Sequence, residues 1–185
     1  ATPAYVKPYE GEHEHPRLDF GNFNRLADAT AALLLDRIEQ ALPALDVLII
    51  NQQVRQGRHT ETFRRGLAAR MQQREKPIFI VDSRHYSDAY PAAHLQINDH
   101  AAVQLCSGGA LPEAQAGKSE VAAAAEALYA QRGQPVFITR GARGCRVRDA
   151  QGVHEVPAIQ VFGPIDTVGA GDSLLSGAAL ALGAG

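Results

Sequence analysis

The sequence predicts a three-layer α/β sandwich with a mainly parallel sheet, and three observations point there. Short runs rich in β-branched and aromatic residues, at 46–50, 77–81 and 136–139, lack polar alternation, which is the pattern of strands covered on both faces. Segments with apolar residues at helical spacing lie between them. Strand and helix therefore alternate along the chain, the rhythm of parallel strands joined by crossover helices.

Taken in order, residues 2–8 suit a short extended segment that Pro3 and Pro8 keep out of a sheet interior. Residues 10–15 (Glu-Gly-Glu-His-Glu-His) read as a solvated loop; no further ligand cluster recurs nearby to make His13 and His15 a metal site. Residues 17–20 read as a strand end. Residues 25–42 are helical, with Ala27, Ala31, Leu34, Ile38 and Ala41 on one stripe and Pro43 past the end. A polar loop, 51–58, follows the strand at 46–50, and Thr60 caps a helix whose stripe is Phe63, Leu67 and Met71. The strand at 77–81 ends in Asp82-Ser83-Arg84, and Leu95-Gln96-Ile97 leads to Asn98. A third helix starts at Ser119 and Glu120, buries Val121, Ala125, Leu128 and Tyr129, and stops at Gly133. After the strand at 136–139 come a glycine loop and a hairpin, 145–148 and 153–156, turned by Ala150-Gln151-Gly152. The last helix places Ala170, Leu174, Ala178 and Ala181 on one face. Ligands of such sheets sit beyond the carboxyl ends of the strands, where the loops at 51–53, 82–84, 98 and 139–144 fall.

The chain of 185 residues is 45% hydrophobic, enough for one sizeable core and one domain over 1–185. A net charge of −2 and a pI near 6.4 give no footprint for nucleic acid. No apolar run approaches bilayer-spanning length and the N-terminus has no signal-peptide pattern, so a cytoplasmic protein without a membrane partner is expected. Cys106 and Cys145 lack metal spacing and read as free thiols.

The chemistry is concentrated in Asp166-Thr167-Val168-Gly169-Ala170-Gly171-Asp172, which runs straight into the last helix. A helix N-terminus presents unpaired N–H groups and the positive end of a dipole to an anion, and glycines let a phosphate approach without a Cβ in the way. A carboxylate beside such a cradle repels the ligand, so Asp172 makes sense as a base that takes a proton from an attacking hydroxyl. Two other glycine patterns fail: Gly117-Lys118-Ser119 has Pro112 at the first glycine of a P-loop, and Gly169-x-Gly171 has Leu174 at the third glycine of a dinucleotide fingerprint.

The Asp-Thr-x-Gly-Ala-Gly-Asp pattern of residues 166–172 resembles the signature of the ribokinase-like (PfkB) carbohydrate kinases. The resemblance implies that the backbone of Gly169, Ala170 and Gly171 forms an anion hole and that Asp172 is the catalytic base. It extends to Thr139-x-Gly141-x-x-Gly144, which stands where the family binds nucleotide phosphates and ribose, and to Asn98, the first residue of the family's Asn-x-x-Glu motif. With Asp166 and Thr167 these are the implied nucleotide-binding residues. ATP and Mg²⁺ are the implied cofactors, a sugar or sugar phosphate the implied partner, and a homodimer one expected assembly; no residue is expected to ligate a metal directly. The chain departs from the family at Ala101, which replaces the motif glutamate, with Asp99 out of register by about 100° on a helix. That departure keeps a second reading open, a degenerate nucleotide-binding module with a regulatory or structural role. Asn51-Gln52-Gln53 stands where heptose-phosphate kinases tend to carry an Asp, and Asp82-Ser83-Arg84 resembles their next loop, making these the subgroup of nearest resemblance. Because family members continue past both ends, the resemblance also implies an incomplete copy of the fold, holding its nucleotide-side portion.

Overall fold

A computed structural model describes residues 4–21, 23–108, 116–163 and 167–185. Ahead of the main sheet lie two small ribbons, β1 (Ala4–Val6) paired with β4 (Leu18–Phe20), and β2 (Tyr9–Glu10) paired with β3 (His13–Glu14). The second corrects the loop expected at residues 10–15. Gly11, at φ +62°, makes the turn, and Glu14 accepts from Tyr9 Oη (2.9 Å) and pairs with Lys7 (2.7 Å).

Then follow α1 (Asp28–Ala41), β5 (Val47–Gln52), α2 (Glu61–Gln72), β6 (Ile78–Ser83), β7 (His94–Asn98), α3 (Asp99–Ser107), α4 (Lys118–Arg132), β8 (Val136–Thr139), β9 (Cys145–Asp149), β10 (Gly152–Val156) and α5 (Ala170–Ala184). The sheet runs β10-β9-β8-β7-β6-β5; β5 to β8 are parallel, and the β9–β10 hairpin closes one edge antiparallel. Helices cover both faces unequally. Ile50, Phe79, Val81, Leu95, Ile97, Val136 and Ile138 pack beneath α1 to α4, while among the described residues α5 alone meets the opposite face, through Leu175 and Ala179 on Ile80.

Local chemistry explains the boundaries. Thr60 Oγ1 accepts the Phe63 N–H (3.3 Å) to start α2, and Gly133 ends α4 in the left-handed region at φ +63°. Four expectations shift. Helix α1 begins at Asp28, and its buried residues are Ala31 and Leu35, with Leu42 buried in the 3-10 turn that follows. On α5 the stripe moves one residue on, to Leu175 and Ala179, which leaves Ala170 and Ala181 exposed. Strand β5 is an edge strand, so Ile49 is 39% exposed rather than covered on both faces. Helix α3 is additional: Asn98 Oδ1 caps it by accepting the Ala101 N–H (2.7 Å), and Ala102 and Val103 carry its buried face.

Arg132, in the last turn of α4, fixes the connection between β6 and β7. Its guanidinium donates to the carbonyls of Ser87 (3.0 Å), Tyr90 (2.6 Å) and Ala93 (3.1 Å). Replacement by Met leaves half-buried carbonyls without donors, so Arg132→Met is expected to cost about 2–3 kcal/mol in denaturant unfolding and to lower Tm by several degrees.

Candidate active site

Gly169 opens α5 in the left-handed region, φ +78°, which a side chain at that position would strain. Ideal Cβ atoms built on Gly169 and Gly171 meet nothing within 4 Å, so the approach to this first turn is open. The N–H of Ala170 is committed to the turn, donating to Thr167 O at 3.2 Å. This corrects the expectation of three anion-hole donors: Gly169 and Gly171 remain, with no acceptor among the described residues. Ser173 closes the turn on Gly169 O through both its N–H and its hydroxyl, each at 2.9 Å.

The sheet holds this turn through one row of polar side chains. Parallel register aligns Asn51 with Asp82 and Asp82 with Gln96, so the three point to the α5 face at one level. Asn51 Nδ2 donates to Asp172 Oδ1 at 2.9 Å, and Gln53 in turn donates to Asn51 Oδ1. At the other end of the row Gln96, 3% exposed, donates from Nε2 to Gly171 O at 3.0 Å. Between them Asp82 is half-buried. Burial pushes its carboxyl above the usual carboxylate range, the charge of Asp172 adds to that, and Arg84 partly opposes it. Asp172 thus sits at the carboxyl ends of the parallel strands, beneath an open helix N-terminus. Sequence reading reaches Asn51 and Asp82 only as loops, and Gln96 only as part of a strand. The signal for Gln96 is a long amide between buried Leu95 and Ile97, facing the other layer.

The remaining expected residues have mixed placements. Asn98 and Thr139 are register partners at the ends of β7 and β8, close to the same opening. Asn98 Oδ1 is occupied as the α3 cap, which leaves its amide nitrogen as the donor for a ligand. Gly141 is exposed at φ +56° with open space beside it. Gly144 is required by packing: a Cβ there would lie 2.0 Å from Val156 O. Thr167 contributes its carbonyl to the α5 turn, and Asp166 lies outside the described residues. Asp99 is engaged in an ion pair with Arg143. A cleft of about 470 Å³ adjoins the strand ends, lined by Ser83, Arg84, Ile97, Ala101 and Leu105 among others.

The residues do not fit a protein-held Mg²⁺. Among the described residues no three His, Cys, Asp or Glu side chains converge, and the Asn98 and Asp99 oxygens are already engaged. Nor, among those residues, is any helix long and apolar enough to cross a membrane.

Comparison with known proteins identifies the family and the fold. The profile of the pfkB family carbohydrate kinases matches residues 13–185. The bifunctional protein HldE of Gluconobacter oxydans is 29% identical over the whole of this chain, which spans 37% of that protein. Among solved structures, ribokinase of Thermotoga maritima superposes with a TM-score of 0.69 at 18% identity, over all of this chain and 57% of that one. Phosphofructokinase-2 of Escherichia coli in complex with substrates and products gives 0.67 at 19% identity, over 90% of this chain and 54% of that one. At these identities the two structures speak to fold alone. The chain spans about half their length.

The half-buried row generates a pH-dependent expectation. A carboxyl raised above its unfolded value near 3.9 costs stability when ionised, and the cost disappears as pH falls through both values. Asp82→Asn should therefore raise Tm at pH 7, and the gain over wild type should shrink towards pH 3. A lower Tm for the variant at pH 7 would contradict the account.

Proposed function

We propose, from the premise that the chain belongs to the pfkB family of carbohydrate kinases, that it is the nucleotide-side portion of an ATP-dependent kinase acting on a sugar or sugar-phosphate hydroxyl. The observation that carries this reading is Asp172, held by Asn51 at 2.9 Å directly beneath the open Gly169–Gly171 turn.

In this reading the substrate hydroxyl oxygen bonds to the γ-phosphorus while the bond from that phosphorus to the β–γ bridging oxygen breaks and ADP leaves. The hydroxyl proton goes to Asp172, a transfer worth about 10²–10⁴ in rate. Asn51 fixes Oδ1 and so orients the other carboxylate oxygen towards the hydroxyl. The N–H groups of Gly169 and Gly171 face the charge on the transferred group, each worth roughly 10²–10³ by analogy with oxyanion holes. Asn98, Thr139, Gly141 and Gly144, with Asp166 and Thr167, belong to the nucleotide side. Mg²⁺ bound with ATP would supply charge neutralisation for the transferred group, and no described residue of this chain is assigned to hold it.

A second reading has one observation in its favour. Ala101 stands where the family has a glutamate, and the nearby Asp99 carboxylate is tied to Arg143. A nucleotide-binding module without transfer would show the same residues.

Both readings predict that MgATP raises Tm of this chain by several degrees at about 100 times its Kd, and that bulk at Gly171 abolishes the rise. They part on the whole protein assayed for sugar-dependent ADP over a panel of sugars. There Asp172→Asn should cut turnover by about 10²–10⁴ while leaving ATP affinity within about twofold. Near-normal turnover in that variant would sink the base assignment. ADP production by no sugar would favour the binding module.

A further inference from the structure

The β2–β3 ribbon brings to His13 and His15 a neighbour that their sequence spacing does not show. Residues two apart on a strand point the same way, so the two imidazoles share a face. Register places Glu10 directly across from His13. The His15 N–H donates to Pro8 O at 2.9 Å, which carries the pairing one step further and sets Glu10 diagonal to His15, within reach of a long side chain. Glu14 serves the other face, with Tyr9 and Lys7, and Glu12 belongs to the turn.

The spacing of the three side chains suits one small cation. The rings of His13 and His15 have centroids 5.0 Å apart. Two imidazoles bound to one tetrahedral zinc stand about 5 Å apart by the same measure. Nε2 of His15 lies 3.4 Å from Glu10 Oε2. An N–H···O hydrogen bond closes to about 2.7–3.2 Å, so this contact is loose for one. It matches the edge between a nitrogen and an oxygen that are each about 2.0–2.1 Å from a shared tetrahedral metal, roughly 3.4 Å.

We propose that His13, His15 and Glu10 bind a divalent transition metal, with zinc the best fit, and that the ion staples β2 to β3. The rings meet edge to face at 84° and the three groups do not converge on one point as they stand, so a turn of the exposed His13 ring closes the site. Water takes the fourth position. Two imidazoles and a carboxylate suit zinc, whereas Mg²⁺ keeps to oxygen ligands. The His15 and Glu10 side chains are 40% and 85% exposed, so a hydrated ion reaches them without any change in the main sheet. Each strand of the ribbon has two residues, all exposed, and a ribbon that short is marginal in water. Free energy of metal binding then becomes free energy of ordering the ribbon. The site lies apart from the Gly169–Asp172 turn and does not depend on the kinase reading.

Zinc is the probe, titrated calorimetrically into the metal-stripped chain carrying Cys106→Ala, because an exposed thiol also takes zinc. One ion should bind. His13→Gln/His15→Gln should raise Kd by about a hundredfold and Glu10→Gln by about tenfold. His154→Gln, which removes an imidazole paired with a single carboxylate (Asp149, 3.2 Å), should leave Kd unchanged. The three ligands stand on a ribbon outside the main sheet, so these variants keep the fold, and an unchanged Tm without metal checks that. No binding, or equal Kd in the double variant, overturns the proposal.

Hydrogen exchange reads the staple directly. The His15 amide, bonded to Pro8 O, should exchange about tenfold more slowly with zinc present, while the amides of β6 and β7 keep their rates. Zinc binding that leaves His15 exchange unaltered overturns the stapling role. Mg²⁺ at the same concentration should produce neither effect, and an equal response to it overturns the donor assignment.

Discussion

Parallel pairing of β5, β6 and β7 brings Asn51, Asp82 and Gln96 to one level of one face, and the rest of the candidate site follows from that row. A slip of one residue in any of these strands would turn its polar group to the other layer, among the apolar side chains beneath α1 to α4. The apolar residues on either side of the row enforce the register. Ile50, Val81 and Leu95 are buried in the larger core, so the polar residues next to them must face α5. The hydrophobic effect thus positions hydrogen-bonding groups that contribute little to stability themselves.

Electrostatics at the row is set by two carboxylates and two amides. Asp172 and Asp82 are close enough for their charges to interact, and the side chains flanking Asp82 on the neighbouring strands, Asn51 and Gln96, are neutral amides. Amides orient a carboxylate without neutralising it, as Asn51 does for Asp172. The cationic groups near these strand ends lie elsewhere, on the arginines past β5 (Arg25, Arg55 and Arg64) and on Arg84.

Much of this was legible in the sequence. The strands at 78–83 and 136–139 show as apolar runs, and the α5 turn shows as a motif, because both depend on neighbours in the chain. What was not legible depends on distance. Asn51 and Asp172 are 121 residues apart and meet only when β5 and α5 pack. Arg25 and Arg55 look like scattered surface charges until Gly57 bridges to Arg25. The stripe of α5 moved by one because Gly, Ala and Leu populate nearly every position of that helix, so its periodicity does not choose a face. Helix α3 was missed since Asn98, read for its ligand chemistry, was also the residue that starts it.

The slender docking of α5 has a dynamic consequence. Among the described residues, Leu175 and Ala179 on Ile80, with partial cover from Val47, Ala178 and Leu182, make up the apolar cluster of that layer, while Leu180 is 76% exposed. Local opening free energy tracks such contacts, so the amide protons of α5 should exchange with solvent well before those of β6 and β7. The catalytic carboxylate of this reading then rides on a layer with less apolar cover in this chain than β6 and β7 have. Whatever bridges the α5 turn and the strand ends would slow that exchange selectively, and the flexibility of α5 would itself become a reporter of occupancy.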